Sequence, residues 1–302
     1  MKKNDKVLCF GEVLWDNLPT GPLPGGAPMN VALHLSRFDI NSTIASSVGN
    51  DPKGESLKDF LAESGLGTDL IQVHETLPTS EVLVYLDEHN TATYEICEPV
   101  AWDEIMLTQE LIEEVKTSKA IVFGSLASRN QTTRNTLNEL LNNDILKIMD
   151  VNLRPPFDTE EIVKNLLAKS DIVKMNDEEL MTISEWYQLS GTLDERIISF
   201  SGLLNLTMLI VTKGKNGASV LHMNQLYKHD GYKVITADSV GAGDAFLAGF
   251  LAALFEGKEI SRALKEASAI GAYVASQSGA TPLYSKEIIC DITINDKQIR
   301  SI

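Results

Sequence analysis

The segment TADSVGAGDAFLAGFLAALF carries the clearest chemistry in the sequence. Gly241, Ala242 and Gly243 form a small-residue turn that opens onto an apolar helical run, with Asp244 in its first turn. The first amides of such a helix have no intrahelical partner and carry the positive end of its dipole, so the turn suits an anion such as phosphate. A carboxylate beside a bound phosphate is electrostatically unfavourable and needs another reason to be there. A general base that takes the proton of a hydroxyl attacking that phosphate supplies one. An acidic helix-start residue stabilised by the dipole, beside two ordinary turn glycines, accounts for the same residues, and the segment alone leaves both readings open. It is neither a GxxxxGK[ST] loop nor a GxGxxG fingerprint, because Phe246 takes the third glycine's place.

A second segment, PGGAPMNVALHL, has a different chemistry. Gly25 and Gly26 permit close approach of a ligand to the backbone, Pro28 suits the start of a helix, and Asn30 puts an amide in the first turn. Backbone and amide together can read a small polyol. A tight loop capping a helix gives the same residues.

Several classes are excluded. The five histidines, at positions 34, 74, 89, 222 and 229, show no HxxxH or HExxH spacing, and there is no GxSxG elbow, so zinc and hydrolase readings lack support. Cys9, Cys97 and Cys290 are far apart with no CxxC spacing, as expected of reduced core residues in an intracellular protein. With 26 Lys+Arg against 42 Asp+Glu the net charge is −16, which repels nucleic acid and anionic lipid, so neither is an expected partner. The run after Lys2 and Lys3 is broken by Gly11 and Glu12, so no signal-peptide core is expected. The longest apolar stretch, from Ala245, falls short of the roughly 18 to 20 residues of a membrane span. A soluble, cytoplasmic protein is expected.

The elements that must hold these segments alternate. KVLCFGEVLW reads as a buried strand, and Val31, Leu35 and Phe38 then recur at helical spacing. STIASSVG, AIVFG, ILKIMDV and DIVKM read as strands, with helices from about Lys53, near Leu107, from about Gln131 and near Glu160 between them. Strands separated by helices of this length imply parallel pairing with right-handed crossovers, hence an α/β class. SEVLVYLDEHNTATYEI breaks the pattern with two β-rich runs around Asp87, Glu88, His89 and Asn90, a hairpin expected outside the main sheet as a flap or lid. The Pro-rich loop NLPTGPLPGGAP lies between the first strand and the first helix. Further on, MLIVTKG, GASVLHM and YKVIT read as successive strands, the last leading into the GAGD turn, and long helices start at about Ala242 and Ile260. No repeat, low-complexity tract or long linker divides the chain, so one domain over 1–302 is expected, with a lid from about 13–24 and 80–100.

The two signature segments occur in this order and about 215 residues apart. On them the chain resembles the ribokinase-like (phosphofructokinase B) family of ATP-dependent carbohydrate kinases from about Val7 to Pro282, and GGAPMNVALHL is most similar to the form fructokinases carry. The resemblance implies a ribokinase-like, Rossmann-type sandwich with a mainly parallel central sheet flanked by helices, plus a small β lid. It implies that Asp244 is the catalytic base and that Gly241, Ala242 and Gly243 form the anion hole for the transferred phosphoryl group. By the same resemblance Asp16, Gly25, Gly26 and Asn30 hold sugar hydroxyls, with Arg154 of DVNLR as a further substrate contact; Tyr94 of the lid, as a hairpin aromatic, suits packing against a sugar face or an interface or core position. Nucleotide contacts carried over are Asn176 and Glu179 of the NxxE motif, Thr212, Lys213 and Gly214 of VTKG, and Ser268. Glu179 is implicated in positioning Mg²⁺ through water, and Asp238 and Gly279 lie where relatives bind a monovalent cation such as K⁺. Ser239 and Val240 replace threonines common in the family, and Ser268 replaces an asparagine near the adenine.

The expected activity is transfer from MgATP to a primary hydroxyl, with D-fructose as substrate because GGAP lacks the lysine of ribokinase's GGKG. Arg154 keeps a sugar acid such as 2-keto-3-deoxygluconate as an alternative, beside ribose. A non-catalytic sugar-binding relative is the reading from another class. Pairing of open lid edges predicts a homodimer.

Overall fold

The first strand, β1 (Val7–Phe10), is buried on both faces: Val7 and Cys9 enter one apolar layer, Leu8 and Phe10 the other. Such a strand must lie inside a sheet covered by helices on both sides. The structure, a computed structural model, describes residues 6–18, 21–86 and 92–295. After β1 come β2 (Leu14–Leu18), β3 (Gly21–Gly25), α1 (Ala27–Arg37), β4 (Ser42–Gly49), α2 (Pro52–Glu63), β5 (Ile71–His74), β6 (Ser80–Leu86) and β7 (Ala92–Ile96). There follow α3 (Gln109–Thr117), β8 (Ala120–Gly124), α4 (Gln131–Leu140), β9 (Leu146–Asp150), α5 (Glu160–Leu167), β10 (Ile172–Asn176), α6 (Asp177–Trp186) and α7 (Leu193–Leu204). The chain ends with β11 (Met208–Thr212), β12 (Ala218–His222), β13 (Gln225–His229), α8 (Ala242–Phe255), α9 (Ile260–Ala275) and α10 (Lys286–Asn295).

Nine strands form one sheet in the order β13-β12-β11-β10-β9-β8-β1-β4-β5, parallel from β11 to β5, with β12 antiparallel to both its neighbours. Helices α1, α2, α8 and α9 supply apolar residues to the layer on one face, and α3 to α7 to the other. α8 is apolar and buried nearly all round because α1 and α9 pack against it on the sheet. This is the α/β class expected. No helix among the described residues is long and apolar enough to cross a membrane.

A separate four-stranded sheet, β3-β2-β6-β7, is built from residues 14–25 and 80–96. β6 and β7 pair antiparallel as the hairpin reading required, while the turn residues 87–91 lie outside the described residues. The Pro-rich stretch is not a plain loop: β3 pairs with β2, Pro22 opposite Asn17 and Pro24 opposite Trp15. Proline is tolerated there because β3 is an edge strand.

Two expectations need correction. YKVIT is not a strand, apart from one isolated bridge at Val234; the ladder partner of β12 is Gln225–His229, so an extended segment rather than a strand leads into the GAGD turn. Of the three cysteines only Cys9 is a core residue; Cys97 is half-buried and Cys290 exposed.

Candidate active site

The carboxyl ends of the parallel strands meet the N-terminal ends of α1 and α8 around a cleft of about 970 Å³, the usual position of a ligand crevice in an open α/β sheet. β1 leads into Glu12, β9 ends at Asp150 and continues to Arg154, and β10 carries Lys174 and Asn176. The small sheet contributes Asp16 and Leu23 to the wall.

Gly241 is the N-cap of α8, with φ +74°. That backbone favours glycine, and a Cβ there would meet the Ala280 backbone at 2.5 Å. Ala242 and Gly243 start the helix and Asp244 falls in its first turn. Asp244 is buried, and its Oδ2 accepts a hydrogen bond of 2.8 Å from the Asn30 side-chain amide. Burial, helped by the nearby Asp150 carboxylate, pushes Asp244 up to about 6, against the pull of Lys174, Asn30 and Arg154. A carboxyl with that value is ionised at neutral pH yet basic enough to take a proton.

Lys174 and Asp150 are cross-strand neighbours on β10 and β9, both more than nine-tenths buried. The Lys174 ammonium donates to Asp150 Oδ1 at 2.9 Å and Oδ2 at 2.8 Å. Burial opposes its charge, but Asp150 and Asp244 outweigh that and hold it above the ordinary lysine range. It also packs at the start of α8, where a Cβ on Gly243 would lie 2.9 Å from Nζ. Gly243 is helical, so a side chain there is opposed by no backbone angle, only by this close approach of the Lys174 ammonium, which would have to shift.

Burial pushes Asp16 up to about 6, with Arg154 pulling it down and Asp238 pushing it further up. Its carboxyl packs so closely on Gly25 that a Cβ there would collide with Oδ2. Gly26, the N-cap of α1, has φ +117° and lies on the Glu12 carbonyl. Glu12 itself is buried and pushed up to about 7 by desolvation. Arg154 projects into the cleft with its Nη1 on the Leu153 carbonyl and, among the described residues, pairs with no carboxylate.

Asn176 caps α6 in a reciprocal box: its Oδ1 accepts from the Glu179 N–H at 2.8 Å, and Glu179 Oε2 accepts from the Asn176 N–H at 2.7 Å. Glu179 Oε1 accepts from the Leu153 N–H at 2.8 Å, which ties the NxxE turn to the Arg154 loop. Burial pushes Glu179 up. Asp238 closes a turn onto Val240 N–H at 3.0 Å and reaches the Gly279 N–H at 3.4 Å.

Of the residues singled out in the sequence, Asp16, Gly26, Asn30, Arg154, Asn176 and Thr212 line the cleft, as do Asp238, Gly241, Gly243, Asp244 and Gly279. Gly25, Ala242, Glu179, Lys213, Gly214 and Ser268 are not among its lining residues, and Ser268 is buried on α9. Tyr94 belongs to β7, but its side chain lies outside the described residues. Glu12 and Lys174 carry no motif signal, because only the tertiary fold shows them buried at the cleft; Asp150 opens the DVNLR segment, but only the fold shows its carboxylate buried against Lys174. Among the described residues no group of three or more His, Cys, Asp or Glu forms a metal cluster.

A model of the pfkB family carbohydrate kinases matches residues 20–287. The chain is 30% identical over 268 residues to a fructokinase of Klebsiella pneumoniae, covering 83% of this chain and 85% of that protein. It is 28% identical over 297 residues to a fructokinase of Escherichia coli, covering 91% and 94%. Among solved structures it is similar to the fructokinase of Vibrio cholerae O395 in its fructose, ADP and calcium ion bound form, with TM-score 0.81 and 25% identity over 96% of this chain and 99% of that one. The fructokinase of Xylella fastidiosa with bound ATP shares the fold, with TM-score 0.84 over 97% and 100% of the two chains at 23% identity.

Proposed function

The chain belongs to the pfkB family of carbohydrate kinases, and from that premise we propose that it transfers the γ-phosphate of ATP to a primary hydroxyl of D-fructose, with Asp244 as general base. One observation carries the assignment of roles. A buried carboxyl held near pH 6 sits in the first turn of α8, directly after the Gly241 to Gly243 turn and in the same cleft as Asp16 and Asn30. A hydroxyl ordered by Asp16, Asn30 and the Gly25–Gly26 backbone loses its proton to Asp244 as it attacks, and the α8 amides take up charge on the phosphoryl oxygens. The products are a sugar phosphate and ADP.

Asn176 and Thr212 at the ends of β10 and β11, with Lys213 and Gly214 after β11 and Ser268 on α9, are the residues we assign to the nucleotide. Magnesium arrives on ATP as part of the substrate. Both Glu179 oxygens accept from backbone N–H groups, which fits an approach to that magnesium through water. Asp238 and the Gly279 loop would hold a monovalent cation such as K⁺, with the remaining ligands from backbone carbonyls. We take the chain as one kinase domain with the small sheet as its lid, paired lid to lid in a cytoplasmic homodimer; a monomeric mass by light scattering would count against the pairing.

The test is ADP release with MgATP across fructose, ribose, 2-keto-3-deoxygluconate, mannose, tagatose and nucleosides, with Asp244→Ala as control. Fructose-dependent turnover lost in the variant supports the whole reading. Activity on another sugar replaces the substrate and keeps the mechanism, and an active Asp244→Ala protein removes the base. The unpaired Arg154 favours a sugar acid as second reading, because a guanidinium suits a carboxylate.

A further inference from the structure

One buried lysine faces two buried carboxylates at the start of α8 and pairs with only one of them. Lys174 gives its ammonium to both oxygens of Asp150. Asp244, which also feels the Lys174 charge, takes its hydrogen bond from the neutral Asn30 amide instead. The β9–β10 register sets Lys174 opposite Asp150, so their side chains share a face of the sheet. α8 covers that point closely, as the contact of Lys174 Nζ with the place of a Gly243 Cβ shows.

We propose that Asp150 is a positioning residue for phosphoryl transfer: by holding Lys174 it keeps the lysine from pairing with Asp244 and leaves the Asp244 carboxylate free to take the sugar proton. The proposal rests on Asp244 being the base. A buried ammonium without a partner turns to the nearest carboxylate, because desolvated charge is costly until paired. A base locked in such a pair has one oxygen covered and a lowered proton affinity. A neutral amide orients the base without cancelling its charge. The charged groups facing Asp244 are Asp150 on β9, Lys174 on β10, Arg154 in the loop after β9 and Glu12 after β1, while Glu179 on α6 faces Lys174.

The experiment is the pH profile of kcat/KM for the sugar in wild type, Asp150→Asn, Lys174→Met and the double variant, with folding checked by circular dichroism. In Asp150→Asn the like charge is gone and Lys174 swings to Asp244, so the acid limb moves down by roughly one pH unit or more and kcat falls on the order of tenfold. Adding Lys174→Met removes the intruding ammonium, and the double variant is more active than Asp150→Asn alone. A limb that stays in place, or a double variant no more active than Asp150→Asn, overturns the proposal. If Asp150→Asn does not fold, Lys174→Met decides: it loses a cation facing Asp244, so its limb moves up, and an unmoved or lowered limb overturns the proposal. An active Asp244→Ala protein removes the base itself; an inactive one with an unmoved Asp150→Asn limb removes only the positioning role.

Discussion

Asn30 and Asp244 are 214 positions apart and meet through a hydrogen bond of 2.8 Å from the asparagine amide to Asp244 Oδ2. Each lies in the first turn of a helix, α1 and α8, and the two helices pack side by side on one face of the sheet. The bond joins the segment proposed to read the sugar to the segment proposed to take its proton. Among the described residues the other polar atom of the Asn30 side chain, Oδ1, is buried without a hydrogen-bond partner, and the amide nitrogen is directed onto Asp244.

Asn30→Ala is therefore expected to lower kcat/KM by about 10- to 100-fold, the equivalent of one hydrogen bond to a charged group. The sign of the pH effect follows from which form the bond favours. The amide donates to ionised Asp244, so losing it raises the carboxyl above about 6 and moves the acid limb to higher pH. A variant whose limb moves down, or not at all, contradicts the role given to this bond.

Gly241 and Gly243 are expected to respond differently to alanine. At Gly241 the φ of +74° and the contact with the Ala280 backbone both oppose a Cβ, so Gly241→Ala loses stability as well as activity. At Gly243 the backbone is helical, where alanine is favoured by about 1 kcal/mol, and the obstacle is the Lys174 ammonium at 2.9 Å. Gly243→Ala thus keeps a midpoint near that of wild type while displacing Lys174 and lowering turnover by about tenfold or more. Thermal melts read beside ADP release separate the two; a Gly243→Ala protein with full turnover denies the lysine its place.

Why so much of this arrangement was legible is clear from particular strands. AIVFG and STIASSVG are apolar runs bounded by turn residues, and they match β8 and β4 to the residue because both faces of the sheet are covered. YKVIT has equal β propensity but no ladder partner, since β13 had already paired with β12, and propensity alone does not make a strand. The cleft gathers Asp16, Asn30, Asn176 and Asp244 from four distant segments whose local motifs could be read. Lys174 could not be, because a lysine in VKM looks like a solvent-facing strand residue until the register sets it opposite Asp150, the first residue of DVNLR.

Loss of Arg129, whose side chain is almost wholly buried, is expected to be strongly destabilising. Its guanidinium lies over Trp102 at 4.0 Å and Phe157 at 4.6 Å, and its Nε and Nη2 grip Asp103 at 2.7 and 2.8 Å. Nη2 also reaches the Cys97 carbonyl just past β7, so the group fastens the small sheet to the main body. Arg129→Met leaves the Asp103 carboxylate buried without its cation, with only the Val100 N–H still donating to it, at a cost of about 3 kcal/mol or more. Arg129→Lys restores charge but not the planar fork and recovers only part. Chemical denaturation of both variants checks the order; a lysine variant as stable as wild type would show that charge alone suffices.

His34 gives the protein a distinct acid sensitivity. Its ring is fully buried, with Nε2 on the Ala280 carbonyl at 3.0 Å and Nδ1 on the Tyr284 hydroxyl at 2.8 Å. A carbonyl can only accept, so Nε2 carries the hydrogen and Nδ1 accepts from tyrosine: the neutral ring fits both partners. Burial pushes the ring down to about 4, with the Ala280 carbonyl opposing and Arg37 adding to the fall. The unfolded chain takes up this proton near pH 6.5, so between 6.5 and 4 it binds more protons than the fold, and stability is lost as pH falls through that window. The full effect is about 3 kcal/mol. Glu12, Asp16 and Asp244 act with opposite sign, because raised carboxyls lose their stabilising contribution as pH rises. Comparing wild type with His34→Gln isolates the histidine: the variant is less stable at neutral pH, and its denaturation midpoint falls less steeply from pH 6.5 to 4. Parallel midpoint curves for the two proteins would mean that His34 takes up its proton in the fold as readily as in the unfolded chain.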